Sequence, residues 1–338
     1  MRGAIAVTAA VALAVAACSS FLVGPDASVN RVGLFESVWS DLDRQYAFFS
    51  VKGVNWDSLH DAYAPQAGAA ATDSALGELL GAMLSNLHDI HVNLFAGPRS
   101  YDYTGYQSRP AFFDPDVVAY YVNDRGGAPN GHIAFGHAAP DVGYVWILHF
   151  DGTGFAADID AALTQLTGAR GVIIDVRGNP GGRLSNMVAA ASRFADRTRT
   201  YGFIRFRNGP AHDDLSTPEP QVIAPAGPRR FSGSVVVLTN RRSLSAAEGF
   251  VLAMRARPNV TIVGDSTGGA SGGPLGRELP NGWTYRFSAS MLCDTALVPF
   301  EEVGLAPDVW VRGSAEELSA RRDAVLDTAL VVIRRALH

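Results

Sequence analysis

Hydrophobic positions in this chain follow two different periods, and the change from one to the other divides it. Leu34, Phe35, Val38, Trp39, Leu42 and Tyr46 make a stripe at helical spacing. Trp56 and Leu59 open a second helical patch. Thr72, Asp73 and Ser74 offer caps for a third helix, whose inner side carries Leu76, Leu79, Leu80, Met83, Leu84 and Leu87. Residues 31–97 are therefore expected to form a small N-terminal helical domain. Residues 98–142 are rich in Gly, Pro, Asp and Tyr, with short candidate strands at 117–122 and 132–135, and read as a strand-and-loop connection.

From residue 143 the pattern alternates. Strands are predicted over 144–150, 171–176, 201–206, 235–238, 259–263 and 283–291. Helices are predicted over 155–166 and 184–194, from Ala246 through Met254, and over 315–337. A Pro-rich surface loop is expected at 209–230. Strands alternating with helices imply an α/β domain over 143–338, built on a mainly parallel sheet covered on both faces.

Composition adds bounds. The 338 residues are 47% hydrophobic and 18% charged, enough for a substantial core. A net charge of −5 and the lack of any basic run give no reason to expect nucleic acid. Lys52 is the single lysine. At the N-terminus Arg2 precedes an apolar run from Ala4 to Ala17, too short to span a bilayer but suited to a signal-peptide core. The run ends in Val15, Ala16, Ala17 and Cys18, which resembles the lipobox of bacterial lipoproteins. That resemblance implies a leader over 1–17, lipidation of Cys18, a tether over 18–30 and a membrane-anchored, extracytoplasmic protein. Cys293 then has no cysteine left to pair with, and reads as an ordinary buried thiol.

The stretch VVVLTNRRSLSAAEGF, residues 235–250, is a buried strand, a polar turn and a helix that Ser243 or Ser245 can cap. A serine at a helix mouth sits beside unpaired N–H groups and the positive end of the dipole, a setting that serves either a cap or a nucleophile. The turn after strand 171–176 is Arg177, Gly178, Asn179, Pro180, Gly181 and Gly182. Three glycines there permit either a tight strand-to-helix turn or backbone amides presented to an oxyanion.

Together, DVRGNPGG and NRRSLSAAEGF resemble the core motifs of the tail-specific, tricorn-type serine peptidase family, whose fold resembles the crotonase and ClpP sheet. LHDIHV is similar to the family's Asp-Gly-His motif, with Ile90 where glycine is usual. IVGDSTGGASGG is similar to its glycine-rich loop, and FEEVGLAPDVWV to its late Glu…Gly-Val-x-Pro-Asp segment. One catalytic design of the family is a serine–lysine dyad. Aligned on Glu248, the nucleophile is Ser245 and the lysine position is Ala270. Lys52 is the only lysine, so the dyad is excluded. The resemblance then implies the Ser-His-Glu design, with Ser245 as nucleophile, His91 as base and Glu301 as the carboxylate orienting it. Backbone N–H groups of Ala246 and of Gly182 or Gly181 are implied as the oxyanion hole. A histidine base suits the poor nucleophilicity of a neutral serine hydroxyl.

Ser243, His88 and Glu302 stand as alternatives to Ser245, His91 and Glu301. Asp89 reads as a cap or neighbour of His91, Asp175 as a support below the glycine turn, and Asp308 as a turn former. No histidine spacing argues for a metal site, and no cofactor is expected. The expected partner is a peptide or protein substrate. Two other functions fit the same fold, a peptide- or apolar-ligand-binding lipoprotein and a crotonase-like acyl-CoA enzyme, the latter disfavoured by the secretion signal.

Overall fold

The computed structural model describes residues 30–338. The leader expected over 1–17, Cys18 and nearly all of the tether lie outside the described residues. The chain forms two compact units. One takes residues up to 104 together with 205–217 and 272–291, and the other takes 105–204, 218–271 and 292–338.

The first unit begins with the predicted helices, Arg31–Gln45, Trp56–Ala69 and Asp73–Ser85, with a short turn of helix at Phe49–Lys52. Each long helix is started by a side chain that accepts an otherwise orphaned N–H. Asn30 takes that of Gly33 at 2.8 Å, Asn55 that of Ser58 at 3.0 Å, and Thr72 that of Ala75 at 3.1 Å. Leu34, Phe35, Val38, Leu42, Trp56, Leu76, Leu80 and Met83 are buried along the stripes that the spacing predicts. The hairpin Asn93–Ala96 and Arg99–Asp102 follows, and Thr284–Cys293 pairs antiparallel with its first strand, Leu94 opposite Tyr285. Gly272–Glu278 pairs antiparallel with Thr284–Cys293 in turn. Asp41 gathers the Tyr285 hydroxyl and Arg44, and His212 meets Asp43 at 2.7 Å. Polar contacts thereby fasten distant stretches of chain to the first helix.

The second unit is built on a seven-stranded sheet. Its order is Val309–Trp310, Val260–Gly264, Ser234–Thr239, Gly171–Asp175, Val142–Ile147, Ile133–Ala139 and Asn123–Gly127. The first five are mutually parallel and the last two join antiparallel. The alternation of strand side chains explains why these strands read as continuous apolar runs. Val235 and Val237 pack with Val172, Ile174 and Ile262 against Phe155, Met187 and Phe250 on one face. Val236 and Leu238 pack with Ile173 and Val263 against Val325, Leu326, Ala329 and Ile333 on the other. The helices Phe155–Gln165, Leu184–Ser192 and Ala246–Arg255 supply the first layer, and Ala324–Leu337 the second. Among the described residues no helix is long and apolar enough to cross a membrane.

Three local expectations are corrected. The strand expected at 117–122 is instead the end of a helical turn, Pro115–Val118, because Asp114 accepts the Asp116 N–H and Pro115 takes the first helical position. The helix expected over 315–337 is two, Ala315–Ser319 and Ala324–Leu337. Arg321 adopts φ 58° between them, and Asp323 recaps the second through the N–H groups of Val325 and Leu326. The expected loop at 209–230 contains a strand, Glu219–Ile223, paired antiparallel with Arg199–Phe206.

A buried ion cluster secures the end of the central strand. Arg177, beyond Gly171–Asp175, donates to Asp175 Oδ2 at 2.7 Å and to Asp323 Oδ1 at 2.9 Å, all three side chains being nearly solvent-free. Tyr144 adds a bond to Asp175 at 2.8 Å. Removing the cation leaves two buried carboxylates uncompensated. Arg177→Met is expected to lower unfolding stability by about 3–5 kcal/mol, measured by urea denaturation; a loss under about 1 kcal/mol would contradict this reading of the cluster.

Candidate active site

In the second unit, the strand Ser234–Thr239 runs into the turn 240–245, from which the helix Ala246–Arg255 starts. Ser245 caps that helix in a strained conformation, φ 55° and ψ −117°, which L residues seldom adopt. It is half-buried. Ser243 is different. It is fully buried; its hydroxyl donates to Val176 O at 2.8 Å and accepts from Asn240 N at 3.1 Å. Of the two serines, Ser243 is therefore a structural clasp between neighbouring strand ends.

The turn is held by Glu248, which is also fully buried. One carboxylate oxygen accepts from Ser245 N at 3.0 Å and Ala270 N at 2.7 Å. The other accepts from Thr267 Oγ1 at 2.6 Å and Gly269 N at 2.8 Å. Burial raises its pKa above the usual carboxylate value, and the four donors oppose that rise. The glycine-rich loop is thus bound to the first turn of the helix. Its next residue, Ser271, donates both N–H, at 2.8 Å, and Oγ, at 2.9 Å, to Glu301 Oε2. Glu301 is buried, whereas Glu302 has φ 60° and binds the loop through its own backbone, donating to Gly269 O at 2.8 Å. A hydrogen-bonded series therefore runs from Ser245 through Glu248 and residues 269–271 to Glu301.

The turn 177–182 packs against the serine. A Cβ on Gly181, φ 96°, would lie 2.7 Å from Ser245 Cβ and 2.9 Å from Ala246 N, so only glycine permits this approach. Gly181 does not offer its amide, however. Its N–H donates to Asn179 Oδ1 at 2.8 Å, while its carbonyl accepts from Phe150 N at 2.7 Å. The expectation that Gly181 is an oxyanion donor is corrected accordingly: it is the residue whose lack of a side chain allows the approach. The N–H groups of Gly182 and Ala246 have no hydrogen-bond acceptor among the described residues.

His91 belongs to the first unit, on the turn between Asp73–Ser85 and Asn93–Ala96. The buried carboxylate of Asp89 accepts the His91 N–H at 2.8 Å and lies 3.7 Å from Nδ1; it also accepts from the hydroxyls of Ser288 at 2.7 Å and Tyr46 at 3.1 Å. Burial lowers the His91 pKa below 6.5, Asp89 opposes this and Arg286 adds to it. The shift favours the neutral form of the ring. His88, the alternative base, is a surface residue stacked on Tyr103, ring centres 5.1 Å apart. Of the supporting residues, Asp89 is the expected neighbour of His91. Asp175 holds the Arg177 N–H below the glycine turn, and Asp308 binds Ile262 N at 2.8 Å. The roles of Glu248, Asn179 and Ser271 were not anticipated. Among the described residues no group of His, Cys, Asp and Glu could hold a metal ion.

Comparison with known proteins decides the family. Residues 141–311 match the profile of Peptidase family S41, and residues 29–85 match the Tricorn protease C1 domain. A solved structure of a protein from Parabacteroides merdae is 34% identical, with a TM-score of 0.80, covering 89% of this chain and 95% of that one. The chain belongs to peptidase family S41. The carboxy-terminal processing protease CtpA of Bacillus subtilis is 27% identical over 152 residues, 44% of this chain and 30% of its own length. The chain thus spans about a third of that curated relative or less. The crystal structure of mature CPAF shares the fold, with a TM-score of 0.70 at 14% identity, covering 91% of this S41 chain and 97% of that one.

The two serines of the turn are separable by stability. Ser243→Ala strands the buried Asn240 N–H and removes one of the two bonds to Val176 O, and should cost about 1–3 kcal/mol, whereas Ser245→Ala leaves the strain at φ 55° in place, since alanine also carries a Cβ, and should cost less. Paired urea denaturation curves check this; equal losses in the two variants would contradict the assignment.

Proposed function

We propose that this S41 protein is a serine peptidase that hydrolyses peptide bonds through an acyl-enzyme. The observation that carries the reading is the nucleophile turn: a half-buried serine in a strained conformation at a helix mouth, beside the uncommitted N–H groups of Ala246 and Gly182. His91 is the general base and Glu301 the carboxylate that orients it. His91 takes the hydroxyl proton as Ser245 Oγ attacks the scissile carbonyl. The two amides receive the negative charge that develops on the carbonyl oxygen. His91 then gives the proton to the departing amine, and water, deprotonated by the same ring, releases the acyl group. The lowered pKa of His91, which favours a neutral ring, and the burial of Glu301 support these roles. The substrate is a peptide or protein.

A fluorophosphonate probe should label the wild-type protein at Ser245 and leave folded Ser245→Ala unlabelled. His91→Ala and Glu301→Gln should each slow labelling by roughly 10⁴-fold. Continued labelling of Ser245→Ala would overturn the nucleophile. Because the folded pKa of His91 lies below 6.5, the base stays competent as pH falls through 6.5 and is lost only at lower pH. An acid limb in the labelling rate at or above pH 6.5 would count against His91.

The apolar run ending at Cys18 supports a further part of the proposal, that the peptidase is tethered to a membrane outside the cytoplasm by a lipid on that cysteine. Cys18→Ser should move the protein from the membrane to the soluble fraction on cell fractionation; an unchanged distribution would sink the lipid anchor.

A further inference from the structure

A cavity of about 610 Å³ opens in the second unit behind the glycine-rich loop, lined by Arg109, Arg241 and Arg312 among other residues. Its volume is in the range that holds a small organic ligand. Two carboxylates, Asp265 and Glu302, also line it, so the walls carry one excess positive charge. Asp265 is largely occupied by Arg312, at 2.8 Å, and lies 3.9 Å from Arg241 Nε. Among the described residues, Arg109 has no carboxylate within ion-pair reach and Arg241 has only that long contact. Each uses Nη1 on backbone carbonyls: Arg109 on Gly268 O at 2.9 Å and Glu302 O at 2.7 Å, Arg241 on Thr267 O at 3.1 Å and Val303 O at 2.7 Å. The second amino group of each guanidinium has no acceptor among the described residues. Burial lowers the Arg241 pKa, Asp265 opposes this, and Arg109 and Arg312 lower it further, as expected of cations gathered without enough counter-charge.

A separate observation in the same wall also calls for an acceptor. Asn240 is 4% exposed. Its Oδ1 accepts from Arg242 N at 2.9 Å and Gly178 N at 3.2 Å, which fixes the amide orientation. Its Nδ2 donates to nothing among the described residues, an uncommon state for a buried amide. Phe112, Val311 and Val325 give the wall an apolar part.

We propose that this cavity binds a compact monocarboxylate with an apolar body, the carboxylate received by Arg109 and Arg241 and the body by Phe112, Val311 and Val325. Planar guanidinium forks match a carboxylate, and the apolar wall favours an acid that carries hydrocarbon over a bare inorganic anion. The cavity takes Asn240 and Arg241 from the turn that carries Ser245, but Ser245 is not among its lining residues, and binding there does not depend on peptidase activity.

Isothermal titration of the full protein with 3-phenylpropionate tests it, with 3-phenylpropionamide and inorganic phosphate as controls. Saturable one-to-one binding of the acid is expected, with both controls at least about tenfold weaker. Arg109→Met should weaken the acid by at least about tenfold. Asn240→Asp, which keeps the acceptor for Gly178 and Arg242 but replaces the donor, should do the same. Val311→Trp, which fills the apolar wall, provides a variant that leaves every polar group in place and should also abolish binding. Absence of binding to the wild type, equal binding of the amide, equal binding of phosphate, or wild-type affinity in these variants would each overturn the proposal.

Discussion

A carboxylate with no water around it is costly unless every lone pair is met, and Glu248 is such a group. Its two oxygens collect four donors, from Ser245, Thr267, Gly269 and Ala270. Because the cost of leaving any of these bonds unmade is high, the carboxylate fixes the spacing of the strands and loops that supply them. The serine turn and the glycine-rich loop become one body, and the strained φ of Ser245 is sustained by contacts that do not themselves take part in chemistry. Ala270, in the same loop, commits its backbone N–H to Glu248.

The same economy recurs at other points of the two units. Asp89 receives three donors around His91, and Asp175 and Asp323 share Arg177 below the glycine turn. In each case a buried acid organises backbone that has left regular structure. Asn179 extends the device with a neutral side chain. By taking the Gly181 N–H it selects which amides of the turn remain open, namely those of Gly182 and Ala246. The amides left available at the turn are thus defined by the donors that are occupied.

Much of this was legible in the chain. Apolar period alone located the helices whose stripes bury Leu34 to Leu42 and Leu76 to Met83, and the strands whose two faces separate Val235 and Val237 from Val236 and Leu238. The misread stretches share a cause: there a single cap or one left-handed residue outweighed periodicity. Asp114 with Pro115 made a helix of an apolar run, and Arg321 with Asp323 divided one helix into two. Resemblance to a family favoured Ser245 over Ser243; the buried hydroxyl of Ser243, bonded to Val176 O, has no counterpart in local sequence.

The sequence by itself determined the class of fold, the two serines and two glycines from which a nucleophile and its amides had to be drawn, and the impossibility of a lysine base, since these follow from side-chain period and from residue types present or absent. Tertiary structure decided which of those groups are still available for chemistry. That the Ser243 hydroxyl is committed, and that the Gly181 amide is committed while that of Gly182 is not, depends on partners such as Val176 and Asn179 that only folding brings to hydrogen-bond distance. The union of residues 272–291 with the N-terminal helices has the same origin. Strand pairing between Asn93–Ala96 and Thr284–Cys293 leaves no local signal, because a backbone ladder is satisfied by any residues that present the right edge.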